Sequence, residues 1–372
     1  MGGVSHEERV ARALLSRLSE PADRRIAGLL ARMPATELVA LVRAGSDHVP
    51  AVERYAARLA AADPEADLAR VADLGGRLLV PGDLEWPSQL DDLGDAAPWA
   101  LWVRGTADLR MSSLRSVSVV GARASTHYGS DVASTLGSDL AVRGWTVVSG
   151  GAFGIDAAAH QGALAAGGVT VAVLACGVDV SYPPRHDALF ARIAADGLLL
   201  SEVPPGAAPH RTRFLVRNRV IAALARGTVV VEAAVRSGAL STAHEAARLG
   251  RPVLGVPGPV TSGMSEGVHR LLRDGATLVT TAAEVVEAVG DLGADLAPRP
   301  SGPVDPRDGL DALTARVLDA VPARRPATLD SVARTAGVAP AEAAGALGLL
   351  EVAGWVRSDA SGWRLAPRGA PR

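Results

Sequence analysis

The sequence contains no lysine: all 38 basic residues of the 372-residue chain are arginines, against 40 acidic residues. Apart from eight histidines, every cationic contact to a phosphate must therefore use a planar guanidinium. Cysteine is almost absent as well. The single residue, Cys176, excludes an intramolecular disulfide and a cysteine metal cluster. Its place at the end of an apolar run predicts a small core side chain.

The sequence also lacks a secretion signal at its start, an apolar run of about 18 residues, and a metal motif such as His-Glu-x-x-His. We therefore expect a cytoplasmic protein with no membrane segment, no bound metal and no cofactor. The net charge of −2 gives no overall basic signature for nucleic-acid binding. Aromatic residues make up only 3% of the chain, so Ala, Val and Leu must fill the core.

Three regions are predicted along the chain. Residues 1–75 carry apolar residues at helical spacing, which predicts a small helical module of the SAM or helix-hairpin-helix type. Residues 76–296 alternate continuous Val and Leu runs with Ala-rich helical stretches, one of them near 218–226. Such runs indicate strands buried on both faces, so we predict a Rossmann-like α/β domain with a parallel sheet. Ligands of these sheets bind at the carboxyl ends of the strands, where the strand order reverses.

A Pro- and Gly-rich stretch, residues 297–306, is predicted to be a linker. Beyond it, residues 307–372 predict three helices and a short hairpin, the pattern of a winged helix, whose third helix often enters a DNA groove. Here the third helix, near 340–353, carries Glu342 and Glu351 and no Arg. The sequence therefore supports protein contact, or lost DNA binding, at least as well as groove binding.

Two strand ends with glycines predict an anion site. Val120 runs into Gly121-Ala122-Arg123, where backbone amides and a guanidinium can meet a phosphate. The next strand ends in Ser149-Gly150-Gly151, and Gly154 precedes a helix, so the loop and the helix N-terminus predict a phosphate cradle. The spacing is not Gly-x-Gly-x-x-Gly, and no acid follows the first strand to hold a ribose. A standard NAD site is therefore disfavoured.

Two further residues of this segment have simple structural interpretations. Asp156 stands where a helix N-cap is expected. His160, one turn later, is predicted to be a packed or hydrogen-bonded core histidine.

A basic segment follows the predicted strand that ends at Ser201. Residues 203–231 contain no acid and five arginines: Arg211, Arg213, Arg217, Arg219 and Arg226. Together with Phe214 they suit a nucleic-acid strand, with guanidiniums for phosphates and a ring for a base. The structural alternative places Phe214 in the core and pairs the arginines, Arg217 and Arg219 above all, with Glu202 and Glu232.

In their order along the chain, these segments resemble the motifs of the DprA/Smf DNA-processing proteins, densely over residues 75–285 and more loosely at both ends. The motifs are Val119-Val120-Gly121-x-Arg123, Ser149-Gly150-x-Ala152-x-Gly154-Ile155-Asp156-x-x-x-His160, Gly177-x-Asp179-x-x-Tyr182-Pro183, Ser201-Glu202, Phe214-x-x-Arg217-Asn218-Arg219, Ser237-Gly238-x-Leu240-x-Thr242-Ala243 and Gly250-Arg251-x-Val253-x-x-Val256-Pro257-Gly258. The resemblance implies a homodimer, joined through the Rossmann-like domain, that binds single-stranded DNA without sequence preference. It also implies loading of the RecA recombinase during natural transformation, and a protein that is not an enzyme.

The resemblance also implies roles for individual residues. Arg123 would hold a backbone phosphate, Arg211 would supply the charge that relatives commonly place on a Lys, and Phe214 would contact a base. The full predicted DNA site is Gly121, Arg123, Ser149, Gly150, Gly151, Arg211, Arg213, Phe214, Asn218, Ser237 and Gly238. Two residues depart from the family pattern: Gly151, where relatives often have Leu, and His186, where they often have Asn.

Two other functions remain open at this stage. No nucleophile–base–orienting set stands out, but Gly238, Thr242 and Glu245 match part of the Gly-Gly-x-Gly-Thr-x-x-Glu signature of nucleoside 5′-monophosphate phosphoribohydrolases. Glu245 would be the acid or base, although Ala239 and Ser241 replace two of the signature glycines. A third candidate is a DNA-binding regulator that acts through the winged helix.

Overall fold

The computed structural model describes residues 3–291, 293, 295–298 and 306–367. The chain divides into two compact units, residues 1–298 and residues 299–372. Most of the predicted linker, residues 299–305, lies outside the described residues. Among the described residues, no helix is long and apolar enough to span a bilayer.

The first unit begins with five short helices. They are α1 (His6–Leu18), α2 (Arg24–Leu30), α3 (Ala35–Arg43), α4 (Val52–Leu59) and α5 (Pro64–Asp73). Side-chain oxygens of Ser5, Asp23 and Asp63 cap three of these helices, as short polar residues do at helix starts. The buried faces share one hydrophobic core with Leu174 and Phe190 of the following region. The division predicted after residue 75 thus separates two layers of a single compact unit.

The remainder of the first unit alternates strands and helices. The strands are β1 (Gly76–Leu79), β2 (Leu101–Arg104), β3 (Ser116–Val120), β4 (Thr146–Ser149), β5 (Thr170–Leu174), β6 (Leu198–Ser201), β7 (Thr228–Val230), β8 (Val253–Gly255) and β9 (Thr277–Leu278). The helices are α6 (Leu109–Leu114), α7 (His127–Val142), α8 (Ile155–Ala165), α9 (Asp187–Asp196), α10 (Arg211–Leu224), α11 (Ala239–Arg248), α12 (Glu266–Arg273) and α13 (Ala282–Val289).

All nine strands form one sheet in the order β1-β2-β6-β5-β4-β3-β7-β8-β9. Strands β3 to β9 pair in parallel, whereas β1 and β2 add an antiparallel pair at one edge. The predicted Rossmann-like parallel sheet is therefore confirmed. From β3 the chain runs outward to β6 and then crosses, through α10, to β7 on the other side of β3. The strand order reverses at this pair, and the carboxyl ends of β3 and β7 are where a ligand site is expected.

Helix α10 begins earlier than the sequence indicates. A helix was expected near 218–226, but α10 starts at Arg211, directly after Pro209-His210. Four of the five arginines of the basic segment, Arg211 to Arg219, therefore lie on the first turns of the crossover helix rather than in a loop. The second half of α10 is buried, because its Val220, Ile221 and Leu224 pack against the sheet.

The second unit has a hydrophobic core of its own. Its helices are α14 (Ala312–Ala320), α15 (Leu329–Ala336) and α16 (Pro340–Val352), followed by a hairpin of β10 (Val356–Asp359) and β11 (Gly362–Leu365). Gly337 ends α15 in the left-handed conformation that a tight turn between helices requires. Three helices and a hairpin confirm the predicted winged-helix architecture.

Candidate functional site

A cleft opens at the carboxyl ends of β3 and β7, where the strand order reverses. Its volume is about 420 Å³. It is lined by the chain after β3, the exposed side of α10, and the loop between β7 and α11; its polar lining includes Arg123, Asp156, Arg217, Asn218, Arg236, Ser237 and Thr242. We call it the switch cleft.

The glycine loop after β4 does not present its amides to this cleft. Asp156 accepts hydrogen bonds from the amides of Gly150 (3.1 Å) and Ala152 (3.5 Å), and the Gly121 amide also donates to it. Asp156 is not the N-cap of α8, which is Gly154, but a buried residue of the first turn. The predicted phosphate cradle is therefore wrong in this detail: the loop is closed around the chain's own carboxylate.

The N-terminus of α8 is also covered. The amide of Ile155 donates to the Ala122 carbonyl at 3.2 Å, and a Cβ on Gly154 would lie 2.3 Å from the same oxygen. Only a glycine, here with φ of 77°, allows the chain after β3 to pass so closely. The amides of Gly121, Gly150, Ala152 and Ile155 thus hold the ends of β3 and β4 together instead of meeting an external anion.

Arg217 is a structural arginine at the base of the cleft. Its guanidinium donates to the carbonyls of Gly150 (2.8 Å) and Val173, and a Cβ on Gly150 would lie 2.5 Å from it. Burial lowers the pKa of Arg217 to about 10, and the nearby Asp156 opposes that shift, so the group stays protonated at neutral pH. Burial raises the pKa of Asp156, while Arg217 and the loop amides favour its charged form. The pair fixes the loop on which the cleft is built.

The structural alternative, in which arginines pair with Glu202 and Glu232, is correct for one of these two acids. Arg219 pairs with Glu202 at 2.6 Å, as that alternative expects. Glu232 instead binds Thr126, accepting from its amide (2.9 Å) and its hydroxyl (2.6 Å) at the start of α7.

On the opposite wall, α11 directs its N-terminus into the switch cleft. Ser237 and Gly238 precede this helix, and the Asn218 side-chain amide donates to the Gly238 carbonyl at 3.2 Å. A helix N-terminus carries partial positive charge. The first amides of α11 are themselves bonded, since those of Ala239 and Leu240 donate to the Ser237 hydroxyl and carbonyl at 3.3 and 3.2 Å, so only the partial charge of this helix end is available to an anion in the cleft.

Arg123 and Phe214 form the ridge of the site. The Arg123 guanidinium lies 5.0 Å from the centre of the Phe214 ring, within the range of a cation–π contact. Beyond this ridge is a second cleft of about 510 Å³, which we call the aromatic cleft. It is lined by Arg123, Gly150, Ala152, Phe153, Tyr182, Pro183, Pro184, Arg185 and Phe214.

Most of the predicted site residues meet in these two clefts. Gly121, Arg123, Phe214, Asn218, Ser237 and Gly238 line the switch cleft, and Gly150 lines the aromatic cleft. Arg211 lines neither cleft and is an exposed residue at the first position of α10.

Three predicted residues have other places. The Ser149 hydroxyl is fully buried and donates to the Val119 carbonyl at 2.7 Å. Arg213 pairs with Glu20 at 2.7 and 2.9 Å, facing the N-terminal helices. Gly151 is buried with φ of 65°, and a Cβ at this position would meet the Phe190 ring. Direct strand contact by Ser149, Gly151 or the Arg213 side chain is therefore not supported, because the first two are buried and Arg213 is already paired.

The two departures from the family pattern contact each other. The ring of His186 hydrogen-bonds through Nδ1 to the Gly151 carbonyl at 3.1 Å and packs edge-on against Phe153 and Phe190. A Cβ on Gly151 would lie 2.6 Å from the Phe190 ring. The loop after β4 is thus built for glycine at 151 with histidine at 186.

The sequence reasoning missed several lining residues: Arg236, Phe153, Tyr182 and Arg185. A usable signal exists for the rings. The chain has only three Phe and three Tyr, so an aromatic residue inside a Gly- or Pro-rich loop after a strand is conspicuous. Arg236 lies in the loop after β7, and the path of this loop cannot be predicted from the sequence.

Glu245 does not line either cleft. It lies on α11, where its carboxylate accepts from Arg248 at 2.8 and 2.9 Å. The acid–base role that the phosphoribohydrolase alternative requires is therefore not supported.

Comparisons with known proteins agree with the geometry. The family model of the DNA recombination-mediator protein A matches residues 77–290, and that of the DprA winged helix domain matches residues 301–362. The chain belongs to the DprA/Smf family of DNA-processing proteins.

Its relatives match over most of their length. A DNA processing protein DprA of Mycobacterium tuberculosis (strain H37Rv) is 45% identical over 96% of this chain and 94% of its own. Protein Smf of Escherichia coli (strain K12) is 39% identical over 77% and 76%. The X-ray structure of DprA from Streptococcus pneumoniae superposes with a TM-score of 0.65 and 32% identity, covering 78% of this chain and all of that one.

The description of a further solved structure names a ligand. It is described as giving insight into the single-stranded DNA binding mode of DNA processing protein A from Helicobacter pylori. It is 30% identical, with a TM-score of 0.51, and covers 56% of this chain and 94% of that one. DNA processing is thus the shared description of these family members.

Proposed function

We propose that this protein binds single-stranded DNA, without sequence preference, along the two clefts at the carboxyl edge of its sheet. The observation that carries the proposal is the ridge of Arg123 and Phe214, which places a guanidinium and an aromatic face 5.0 Å apart between two clefts. A phosphate contact and a base stack are the two interactions that sequence-neutral strand binding combines. The H. pylori relative, whose description names this ligand, supports the same assignment.

The charge pattern supports a polymer of phosphates as the ligand. Arg123, Arg211 and Arg236 are exposed, and none of them forms an ion pair within the described part of the chain. Arg217 and Arg219, by contrast, are buried and hold the protein's own carbonyls and Glu202. These three guanidiniums, with Arg123 and Arg236 at the switch cleft and Arg211 at the start of α10, are the phosphate contacts that we propose, rather than the basic segment as a whole.

The same proposal includes finer points that rest on family membership. We infer a homodimer joined through the first unit, a recombination mediator that loads RecA onto the bound strand, and a role in natural transformation in the cytoplasm. We also infer that the protein acts by binding and is not an enzyme. A regulator that reads duplex DNA through the winged helix is less well supported, because α16 carries Glu342 and Glu351 and no basic residue.

The test is a fluorescence-anisotropy titration of the full chain with a dT oligonucleotide and with a duplex of equal length. We expect tighter binding to the single strand, and we expect Arg123→Ala to weaken it about 10- to 150-fold, since it removes a charge-assisted contact of about 1.5–3 kcal/mol. The slope of log affinity against log salt should flatten by about 0.7, the value for one phosphate on a single strand.

Arg248→Ala is the matched control, because it removes an exposed guanidinium of α11 that lines neither cleft. It should leave both affinity and salt slope unchanged. Equal wild-type affinity for the single strand and the duplex would contradict the proposed function. RecA loading is tested separately, by whether the protein speeds assembly of RecA on a strand coated with single-strand-binding protein.

A further inference from the structure

All three phenylalanines and one of the three tyrosines of this protein lie at or behind the aromatic cleft, whereas its six tryptophans do not line it. Phe153, Tyr182 and Phe214 line it, and Phe190 lies behind them, from a total of three Phe and three Tyr in the chain. Phe153 and Tyr182 are each 40% exposed. Large rings are normally used to fill a core, so their exposure in a protein short of aromatics calls for another role.

The exposed rings are held in place from behind. The Phe153 ring meets the edge of the His186 ring at a centroid distance of 4.6 Å, and His186 is itself bonded to Gly151 and packed on Phe190. The Tyr182 ring lies 5.5 Å from that of Phe214. Rings that are already ordered lose little conformational entropy when a flat ligand stacks on them.

The two clefts differ in chemistry although they share the ridge of Arg123 and Phe214. The switch cleft is walled by polar groups such as Asn218, Ser237 and Arg236. The aromatic cleft is walled by rings and by Pro183 and Pro184, with a guanidinium at each side, Arg123 and Arg185. Within the described residues Arg185 has no hydrogen-bond or ion-pair partner, so its guanidinium is available.

We propose that the aromatic cleft is a second nucleobase site, which stacks unpaired bases of the bound strand on Phe153 and Tyr182 while Arg185 contacts the adjoining phosphate. The inference rests on the proposed function and extends it. Stacking on ring faces and contact with prolines do not distinguish one base from another, because every base has a π-face, so the site is sequence-neutral. A duplex keeps its bases stacked inside the helix, so this cleft selects single strands.

The arginines and the aromatic rings have different roles, so the contribution of each can be measured separately. Arginines of the site determine the salt dependence of binding, because they replace counterions on phosphates. The aromatic rings determine how much the bases contribute to the free energy of binding. They therefore also determine the preference for a single strand over a duplex. Ring variants should therefore lower the contribution of the bases and leave the salt slope unchanged.

The experiment compares a dT oligonucleotide with a strand of the same length in which abasic sites replace alternate bases. The full chain is used, with Phe153→Leu, Tyr182→Leu and the double variant, since Leu keeps apolar volume but has no π-face. For the wild type we expect abasic substitution to weaken binding about 5- to 100-fold, the range for loss of one stacked base. We call the ratio of the affinity for the dT strand to that for the abasic strand the abasic ratio. In the double variant the abasic ratio should fall several-fold, with an unchanged salt slope.

Two controls keep the result interpretable. Tyr182→Phe retains the ring and should behave as the wild type. Tyr128→Leu removes a tyrosine that is 42% exposed but lines neither cleft, and it should leave the abasic ratio unchanged. Thermal unfolding of each variant shows whether it is folded.

The outcomes separate the two proposals. If the folded double variant keeps the wild-type abasic ratio, the second base site is overturned while strand binding stands. If the wild type does not prefer the single strand to the duplex, the proposed function fails, and the aromatic site fails with it. A reduced ratio in the Leu variants, retained in Tyr182→Phe, supports the site.

Discussion

At the scale of single residues, the loop after β4 depends on what can occupy position 151. Gly151 has φ of 65° and is buried against Phe190. Gly144 provides a matched comparison, because its φ of 73° is similar but a Cβ there would meet nothing within 4 Å. The two positions therefore separate backbone strain from steric overlap.

We expect Gly144→Ala to lower the free energy of unfolding by about 1–2 kcal/mol, the cost of a left-handed L-residue. Gly151→Ala should lower it by about 2–4 kcal/mol, because overlap with the Phe190 ring adds an overpacking cost. Chemical denaturation of both variants measures the difference. Equal losses would contradict the contact with Phe190.

His160 makes the stability of the fold depend on pH. Its Nδ1 lies 2.7 Å from the Thr170 hydroxyl, which itself donates to the Val147 carbonyl, so Nδ1 carries the proton. Burial, and then the neighbouring His186 and Arg217, lower the pKa of His160 to about 3. The unfolded chain, with a pKa near 6.5, therefore takes up a proton that the folded chain excludes. The contribution of neutral His160 is complete above about pH 6.5 and is lost as the pH falls toward 3.

Between pH 7.5 and pH 5 this effect should lower the free energy of unfolding by about 2 kcal/mol, or 1.36 kcal/mol for each unit below 6.5. His160→Asn keeps a nitrogen donor near Thr170 without a titrating group. Its stability should fall by about 2 kcal/mol less than that of the wild type over the same range, as measured by urea unfolding at each pH. Parallel profiles for the two proteins would exclude His160 as the source.

At the scale of elements, one buried ion pair joins the end of β6 to the crossover helix. Arg219 of α10 and Glu202, which directly follows β6, are 6% and 8% exposed, with two hydrogen bonds of 2.6 and 2.8 Å between them. The pair fixes α10 at the point where the chain changes sides of the sheet. Arg248 and Glu245 on α11 form a comparable pair at the surface, 53% and 31% exposed.

Glu202→Gln should lower the free energy of unfolding by about 3–5 kcal/mol, because it leaves a buried guanidinium without its counter-charge. Glu245→Gln should cost no more than about 1 kcal/mol, the usual range for an exposed pair. Thermal or urea unfolding compares the two. A small effect of Glu202→Gln would mean that water reaches Arg219.

The helices and strands also show which parts of the fold could be predicted from the sequence. Most of the parallel strands were predictable because they are short, buried Val- and Leu-rich runs, and β4, β6 and β8 end in Ser or Gly. The start of α10 was not, because helix-favouring arginines alternate there with Thr212 and follow Pro209, so local propensity gives no clear boundary. The role of Asp156 was hidden for a similar reason: a carboxylate next to a helix start predicts a cap, whereas its real partners, Gly150 and Ala152, depend on the loop's path.

At the scale of the whole molecule, the two compact units have separate cores. All the residues that line the two clefts belong to the first unit. We expect a chain ending at Pro298 to fold and to bind a dT oligonucleotide within about twofold of the full chain. Calorimetry should show that truncation removes one unfolding transition and leaves the other at its temperature, as independent domains require.

A truncated chain that unfolds at a much lower temperature would show that the second unit stabilises the first. A large loss of affinity, with an unchanged unfolding temperature, would instead give the winged helix a share in strand binding.

The closure of the glycine loop around Asp156 has a consequence for competition in the cell. In many Rossmann-like proteins such a loop is where a free nucleotide docks its phosphate. Here amides of that loop are already bonded to Asp156, so a mononucleotide can make only one phosphate contact and one base stack at a time. A strand places further phosphates and bases within reach at a high effective concentration, and its affinity multiplies accordingly. The abundant nucleotide pool should therefore inhibit strand binding very little, although each monomer carries the same chemical groups as the polymer.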